Sequence, residues 1–329
     1  MPTIKDVAKR AGVAPSTVSH FLTGRAPVSE MTAARIKAAI DELGYRPNLT
    51  ARNLRLSRTH TIGLVVANIA NPFFAEIVRA IGHACQRLGY SLLLSDSDED
   101  GEREAGLLQN LLQQRIDGLL VIHTGRRNDY ARLTAGAPLP VVFVDREVAG
   151  RSFVVTDNHL GGVLAARHLW GLGHRRIGVL AGDPHVENVA QRLTGFKEEL
   201  AAHGVPLSDR DLIAGSQTLA TGRDVEFLLR RPDPPTAIFA TNDIIALGAW
   251  RRLLELGRRV PEDISLVGYD NIEMTQWTLP PLTTVEQDKE ELGRRAVRAL
   301  IDAAAGSGLE PETILVPPQL IVRRSTAPI

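Results

Sequence analysis

From Thr61 onward, runs of consecutive apolar residues alternate with stretches that have the period of a helix. Apolar runs of this length between helices are typical of parallel strands that are covered by helices on both faces. The pattern starts again near residue 161, so the sequence predicts two similar α/β lobes. The strands are expected at residues 62–67, 90–96, 117–123, 140–145, 176–182, 236–241 and 264–270.

The first 47 residues follow a helical period throughout. Thr3 and Asp6 predict a capped start for a first helix, and Gly12 supplies the permissive backbone that ends it. Pro15 suits the first turn of a second helix. A third helix is expected to begin near Ser29, to stop at Gly44, and to bury Ala33, Ile36, Ile40 and Leu43.

The two faces of the second helix differ in character. Its inner face carries Val18, Phe21 and Leu22, whereas its outer face carries only short or hydrogen-bonding side chains, namely Ser16, Thr17, Ser19 and His20. Two helices joined by a short turn form the geometry in which the second helix enters the major groove of DNA. The alternative is a three-helix bundle that only packs.

The charge distribution favours the DNA-binding interpretation. Residues 1–60 carry ten Lys and Arg against four acids, a net charge of +6. Because the whole chain has 38 charged residues of each sign, residues 61–329 carry −6. A polyanion such as DNA would therefore be attracted to this N-terminal segment and repelled by the rest of the chain. Residues 1–47 of the segment are called the head below.

Composition narrows the class of protein further. The chain has 329 residues, of which 44% are hydrophobic, and no apolar run approaches the roughly 20 residues that span a bilayer. The N-terminus lacks the apolar segment of a secretory signal, and Cys85 is the only cysteine. These features favour a reducing cytoplasm and no membrane partner.

Residues 48–60 connect the head to the lobes. The segment 48–56 could form barely two helical turns, and a helix that short is unstable alone. We expect it to fold on DNA, against its copy from a second subunit. Leu54 would then insert into a minor-groove base step, and Arg52 and Arg55 would face phosphates. A plain tether, with Leu54 resting on the lobes, is the alternative.

Polar and aromatic side chains follow the predicted strands, where ligands of open α/β sheets bind. The candidates are Asn71, Phe73 and Phe74, Asp96, Asp145 and Arg146, Arg192, Asn242 and Asp243, Asp270 and Asn271, and Gln287. A ring with carboxylates, amides and an arginine suits a polyhydroxylated ligand. Phe74 also fits a plain core position, Asp96 fits a turn, and Asp243 and Asn271 fit helix caps or loop-forming groups.

Several motifs in this order resemble the LacI/GalR family of bacterial transcription repressors. They are TIKDVAKRAGV, STVSHFL, the GYRPN turn, an A-x-x-L hinge at Ala51 and Leu54, and then NPFF, VDRE, GHRRIGVLAG, TNDIIALGA and VGYDN. The resemblance extends to about residue 325. It implies a helix-turn-helix head, a hinge helix, and a two-lobed body of the type 1 periplasmic-binding-protein fold.

The resemblance also assigns residues. It implies that Ser16, Thr17 and His20 read bases and that Leu54 is the minor-groove wedge, with Thr3, Tyr45, Ala51 and Arg55 as further DNA contacts. It places effector contacts at Phe73, Asp145, Arg192, Asn242, Asp270 and Gln287. Where several members have a pocket aromatic, this chain has Gln217, which favours a polar, sugar-like effector over a stacked purine.

The resulting domain prediction has four parts. Residues 1–47 form the head and 48–60 the hinge and linker. Residues 61–160 with 289–321 form the first lobe, and residues 161–288 with 322–329 form the second. A final strand in the sequence LIVRR would return to the second lobe.

We therefore predict a transcriptional repressor that binds palindromic operator DNA as a homodimer and responds to a small effector between the lobes. No cofactor or metal motif is evident. A glycoside hydrolase using Asp145 and Asp270 is one rival, which leaves the basic head without a role. A transport binding protein is another, and the head argues against it.

Overall fold

The computed structural model describes residues 2–23, 26–45, 59–123, 130–306 and 311–329. The chain divides into two compact units, Met1–Thr59 and His60–Ile329, which are described separately. The predicted hinge residues Ala51, Leu54 and Arg55 lie outside the described residues, so their roles stay predictions. Among the described helices, none is both long and apolar enough to cross a membrane.

The described residues of the first unit form three helices, α1 (Ile4–Ala11), α2 (Pro15–Thr23) and α3 (Glu30–Leu43). Thr3 caps α1 in a reciprocal capping box with Asp6, as predicted, and Gly12 ends the helix with φ +65°. Ser29 caps α3, and Gly44 ends it with φ +59°. Both glycines adopt the left-handed conformation that residues with a Cβ rarely take.

The head core confirms the predicted inner faces. Val7, Val18 and Ile36 are fully buried, and the partly buried Phe21 and Leu22 pack against them. The third helix differs in one respect, because Ala39 is buried whereas the predicted Ala33, Ile40 and Leu43 are only partly so. The helix is therefore rotated slightly from the face that the apolar spacing predicted.

The second unit alternates strands and helices along the chain. In order, its elements are β1 (Thr61–Val66), α4 (Pro72–Arg87), β2 (Ser91–Asp96), α5 (Gly101–Gln113), β3 (Gly118–Ile122), α6 (Tyr130–Leu133), β4 (Val141–Val144), β5 (Ser152–Thr156), α7 (Asn158–Gly171), β6 (Ile177–Ala181), α8 (Glu187–Ala202), β7 (Leu212–Ala214), α9 (Leu219–Arg223), α10 (Val225–Leu229), β8 (Ala237–Ala240), α11 (Asp243–Glu255), β9 (Ser265–Asp270), β10 (Thr283–Glu286), α12 (Lys289–Ala304), β11 (Thr313–Val316) and β12 (Gln319–Ile321).

These strands form two six-stranded sheets. The first has the order β11-β5-β4-β3-β1-β2, with parallel pairing throughout. The second has the order β12-β10-β9-β8-β6-β7, parallel except where β12 runs antiparallel to β10. The central strands are buried along their length because helices cover both faces. The predicted two-lobed α/β body is confirmed.

The seven predicted strands are all present, each within a residue or two of its expected bounds. The sequence pattern missed β5, β7, β10 and β11, which are three to five residues long. Such short runs do not stand out from loops in a single sequence.

The chain passes between the lobes after β5, after β10 and after β11. The predicted last boundary, at residue 321, is wrong. Residues Gln319–Ile321 pair with Glu286–Thr284 of the second sheet, so the last crossing lies between Val316 and Gln319. Only two residues separate Val316 in the first sheet from Gln319 in the second. The chain therefore changes sheets within a segment too short to alter the apolar pattern of the sequence.

The segment after β12 is anchored to the second lobe. The Ser325 hydroxyl donates to the Leu266 carbonyl at 2.6 Å and accepts from the Thr283 amide at 2.8 Å. His174 is buried below it, with Nδ1 at 2.9 Å from the Thr236 hydroxyl and Nε2 at 3.2 Å from the Ala327 carbonyl. His174 is therefore structural.

Candidate functional site

A cleft lies where the carboxyl ends of the strands of the two lobes face each other. It encloses about 280 Å³ of atom-free space, including its open mouth. Both lobes contribute side chains, and most of these are polar: Asn71, Phe73, Phe74, Asp145, Arg146, Asn188, Arg192, Gln217 and Asp270. The cleft therefore joins aromatic surface from one lobe with charged groups from both.

The aromatic part comes from the start of α4. Asn71 caps this helix, and its Oδ1 accepts from the Phe73 amide at 3.1 Å. The rings of Phe73 and Phe74 lie 5.4 Å apart, and both belong to the first-lobe core while also lining the cleft. The core interpretation of Phe74 and the ligand interpretation are thus both compatible with its position.

The end of β4 carries two buried charges of opposite sign. Asp145 has φ +64°, and Arg146 Nε lies 4.0 Å from Asp145 Oδ2. Asp145 Oδ1 and Arg146 Nε and Nη1 are buried and find no hydrogen-bond partner among the described residues. Burial raises the pKa of Asp145 and lowers that of Arg146. Unsatisfied buried charge is costly, so these atoms point to a missing polar partner.

Arg192, on α8, has hydrogen-bond partners for its guanidinium among the described residues, unlike Nε and Nη1 of Arg146. Its Nε donates to Asn158 Oδ1 and its Nη1 to the Thr241 carbonyl, each at 2.7 Å, and Nη1 lies 3.5 Å from Asp270 Oδ1. The guanidinium carbon lies 3.8 Å from the centre of the Tyr269 ring. The side chain is therefore fixed in position by protein groups on several sides.

Close helix packing brings Arg192 to this position. A Cβ at Gly162 of α7 would collide with the Arg192 carbonyl, and a Cβ at Gly195 of α8 would collide with the His159 carbonyl. Glycine at both positions lets the two helix backbones approach, so the first turns of α8 reach the edge of the sheet. Asn188, one turn before Arg192, donates from Nδ2 to the Asp145 carbonyl at 2.6 Å across the cleft.

Asp270 ends β9 with φ +110°. Its Oδ1 accepts from Gln287 Nε2 at 2.7 Å, whereas the buried Gln287 Oε1 has no partner among the described residues. Burial raises the pKa of Asp270 to about 6, against the opposing influence of the Arg192 charge. Two cleft aspartates, Asp145 and Asp270, thus adopt a backbone conformation that costs non-glycine residues energy, as functional sites often do.

Asn242 lies at the back of the cleft and caps α11. Its Oδ1 accepts from the Ile245 amide at 2.8 Å, and its Nδ2 donates to Gln217 Oε1 at 3.3 Å. The neighbouring Asp243 is fully buried, where its carboxylate accepts from the Ile272 amide and the Thr284 hydroxyl. Asp243 therefore fixes the loop after β9.

The six predicted effector residues lie close together, but only some of them line the cleft. Phe73, Asp145, Arg192 and Asp270 line it, whereas Asn242 and Gln287 contact Gln217 and Asp270 behind the surface. Asp96 accepts from the Ile69 and Asp98 amides, which suits the turn interpretation.

Sequence reasoning noted Arg146 at a strand end but left it out of the effector contacts, and it missed Asn188. The adjacency of Arg146 to Asp145 after a buried strand was the available signal for Arg146. Asn188 had no comparable signal, because it lies inside a helix.

In the head, the predicted base-reading residues occupy α2. Ser16 and His20 are exposed, and Thr17 is half-buried. Thr3 is exposed but bonded to Asp6, with its hydroxyl donating to Oδ2 at 2.7 Å. Tyr45 is partly buried against the head core. An exposed polar face on the second helix is what groove recognition requires.

Comparison with known proteins identifies the class. Residues 3–48 match the family model described as bacterial regulatory proteins, lacI family, and residues 166–326 match that of a periplasmic binding protein-like domain. The chain is 38% identical to the HTH-type transcriptional repressor PurR of Mannheimia succiniciproducens over 100% of both chains. It is 37% identical to the ribose operon repressor of Escherichia coli strain K12, over 99% of this chain and 100% of the relative.

Solved structures of LacI family regulators are also similar to this chain. A lac repressor dimer bound to operator and the anti-inducer ONPF superposes with a TM-score of 0.87 at 31% identity, over 99% of both chains. A LacI family regulator from Enterococcus faecium with bound ribose gives 0.72 at 32% identity, over 82% of this chain and 99% of that one.

The chain therefore belongs to the LacI family of bacterial regulatory proteins. It is a DNA-binding transcriptional repressor controlled by a small-molecule effector, as the sequence predicted. The family consists of repressors rather than enzymes, so the glycoside hydrolase alternative is not supported.

Proposed function

We propose that the effector is a neutral, polyhydroxylated compound of monosaccharide size that binds in the cleft, and that the repressor binds a palindromic operator as a homodimer. The observation that carries the effector proposal is the group of unpartnered buried atoms on Asp145 and Arg146. A sugar hydroxyl can donate to Asp145 Oδ1 and accept from Arg146 Nη1 or Nε at once. Vicinal hydroxyls would satisfy all of these atoms together.

The charge balance of the cleft supports a neutral ligand. The carboxylates of Asp145 and Asp270 are balanced by the guanidiniums of Arg146 and Arg192. A phosphate ester would add close to two negative charges beside two buried carboxylates, and each described arginine that lines the cleft already faces one of those carboxylates. A free sugar needs no added counter-charge.

The lining of the cleft supports a sugar. The Phe73 ring would cover the apolar face of a sugar ring, and Gln217 would offer an amide rather than an aromatic surface. Ribose is the first sugar to test, because a similar regulator has been solved with ribose bound.

The homodimer is supported by exposed apolar surface on both lobes. Leu93 and Leu94 are about two-fifths exposed on β2, the edge strand of the first sheet, and Trp277 and Leu279 are largely exposed after β9. A second copy of this chain would cover these side chains, and the similar lac repressor is a dimer. Two heads related by a two-fold axis would read the two halves of a palindrome.

Effector and operator would be coupled through the first lobe. A ligand that contacts both lobes favours one arrangement of the lobes, and it can act only through its different affinity for the two states. Residues 48–60 join this lobe to the head, so a change in the separation of the two first lobes would change the separation of the two Leu54 side chains. Leu54→Ala should then cut operator affinity steeply and leave nonspecific DNA binding nearly unchanged, measured by fluorescence anisotropy. Equal losses of both would remove the wedge role.

The effector proposal is tested by thermal shift and by operator release. D-ribose should raise the melting temperature by mass action, whereas D-ribose 5-phosphate and hypoxanthine at equal concentration should not. The stabilising sugar should also change operator affinity. Stabilisation by the phosphate ester alone would overturn the charge argument, and stabilisation by hypoxanthine alone would overturn the sugar class.

A further inference from the structure

Glu76 and Lys289 form an ion pair beside the cleft that none of the roles above uses. Glu76 lies on α4 and Lys289 begins α12, and both helices pack into the first-lobe core. Lys289 Nζ lies 3.4 Å from Glu76 Oε2, and the two side chains are only 10% and 16% exposed. The pair is therefore largely removed from solvent, where charges interact more strongly than at a surface.

Both members of this pair also bind the second lobe. Lys289 Nζ donates to the carbonyls of Asp270 at 2.6 Å and Asn271 at 3.0 Å. Glu76 Oε1 accepts from the Glu273 amide at 3.0 Å. Three contacts thus join first-lobe side chains to the main chain of residues 270–273.

The segment that they hold is conformationally demanding. Asp270 and Asn271 are consecutive residues with φ +110° and +49°, a region that residues with a Cβ rarely adopt. Such backbone persists only where its surroundings fix it. Asp243 holds the next amide of the loop, whereas Lys289 binds the carbonyls of Asp270 and Asn271 themselves, so its removal would loosen the peptide units whose rotation moves the Asp270 carboxylate.

We propose that Glu76 and Lys289 are positioning residues for effector binding, acting as a clamp that holds the Asp270 loop of the second lobe against the helix that carries Phe73. The proposal rests on the proposed function in one respect, that the effector contacts both sides of the cleft. Phe73 lies one turn before Glu76 on α4, and Asp270 begins the clamped loop. The clamp therefore sets the separation between an aromatic and a charged contact of the same ligand.

A preformed clamp reduces the affinity that the effector loses to ordering the protein when it binds. A ligand that must order a loop and fix two lobes loses part of its affinity to that ordering, and a site already held in place avoids the loss. The pair acts on Asp270 through its main chain, so neither Glu76 nor Lys289 needs to contact the effector.

The same two helices supply a matched control. His83 of α4 and Glu290 of α12 form a second pair at 3.8 Å, but their side chains are more than half exposed. Glu290 follows Lys289 directly in the chain. Glu290→Gln therefore removes a charge from the same helix turn without touching the Asp270 loop.

The test is a double-mutant cycle with Glu76→Gln, Lys289→Met and the double variant in the full-length protein. We expect each single variant to weaken D-ribose binding about tenfold by calorimetry, and the double variant to lose little more, because the contacts act as a unit. Lys289→Arg, which keeps a cation that can donate to several acceptors, should recover most of the affinity. Glu290→Gln should bind as the wild type does.

A ligand-free measurement separates this proposal from the identity of the effector. The Glu273 amide donates to Glu76, so its hydrogen exchange should be about tenfold faster in Lys289→Met, while amides in the middle of β8 stay unchanged. If wild type binds no sugar, the proposed function fails, and this exchange still tests the clamp. Additive losses in the cycle, or unchanged exchange at Glu273, would overturn it.

Discussion

The two walls of the cleft are built differently. On the second-lobe wall, Arg192 is bonded to Asn158, Thr241 and Asp270 and stacked on Tyr269 before any ligand is considered. On the first-lobe wall, by contrast, Asp145 and Arg146 leave three buried polar atoms without partners among the described residues.

The difference separates two tasks that one site must perform. The bonded wall fixes geometry, because each charged group is held by several others. The other wall carries hydrogen-bonding capacity that the protein does not use, so a ligand gains most there. Equivalent substitutions on the two walls should therefore have opposite profiles in stability and in effector affinity.

The largest effect is expected from Arg192→Met. Removing this buried cation takes a donor from Asn158 Oδ1 and the Thr241 carbonyl and leaves the buried Asp270 carboxylate without its cation, and losses of this kind cost about 3–5 kcal/mol of unfolding free energy. Chemical denaturation should show this loss together with loss of effector binding. A variant as stable as the wild type would mean that the second wall is not a structural unit.

Arg146→Met is the matched test on the first wall. Arg146 is bonded to few protein groups, and Asp145 can take up a proton once its neighbour is gone, since burial already raises its pKa. The free energy of unfolding should change by no more than about 1 kcal/mol. Effector affinity should fall about 10- to 100-fold, the usual value of a hydrogen bond to a charged group.

Calorimetry and denaturation on the same preparation decide the Arg146→Met prediction. A stability loss equal to that of Arg192→Met would erase the proposed difference between the walls. Unchanged affinity for the stabilising sugar would remove Arg146 from the site.

The pH dependence of stability should report the second wall. Asp270 has a folded pKa of about 6, above its unfolded value near 4, so between these values the folded state binds more protons than the unfolded one. The free energy of unfolding should therefore fall as pH rises from about 4 to 6, and the contribution should be constant above that range.

Asp270→Asn supplies the comparison for this effect, because the amide does not titrate. Its free energy of unfolding should fall less over the same interval, as measured by urea denaturation at several pH values. A slope identical to that of wild type would assign the titration to other groups, of which the buried Asp145 and Asp243 have pKa values shifted in the same direction.

The smallest effect is expected from Gln217→Leu. Gln217 is partly exposed, and its bond from Asn242 is long at 3.3 Å, so stability should change by less than about 0.5 kcal/mol. Affinity for the stabilising sugar should fall no more than about fivefold, corresponding to one neutral hydrogen bond. A larger loss would show that Gln217 is a principal contact rather than part of the rim.

Much of the fold was predictable because its signals are local. The near-continuous apolar runs of β1, β3 and β8 are long enough to stand out, and Thr3 with Gly12 marks both ends of α1. The strand β11 pairs with β5 across about 160 residues of sequence, and that pairing leaves no mark on either segment.

The sequence predicted which residues follow the strands at the site, but it did not predict their hydrogen-bond partners. The rule that ligands bind beyond strand ends finds Asp145 and Asp270. Asn242 caps α11 with its Oδ1, but whether its Nδ2 is available to a ligand depends on where Gln217 lies, and tertiary packing decides that position. The role of Lys289 is invisible for the same reason, because its partners are main-chain carbonyls that any residue type would supply.

The late position of the last two strands has a consequence for synthesis. A ribosome that has reached residue 306 has made every residue of the three-helix head, yet both six-stranded sheets still lack an edge strand, β11 in one and β12 in the other. Domains fold as units while the chain emerges. A nascent polypeptide would thus possess a finished DNA-reading module well before its sensor could report the presence of a metabolite.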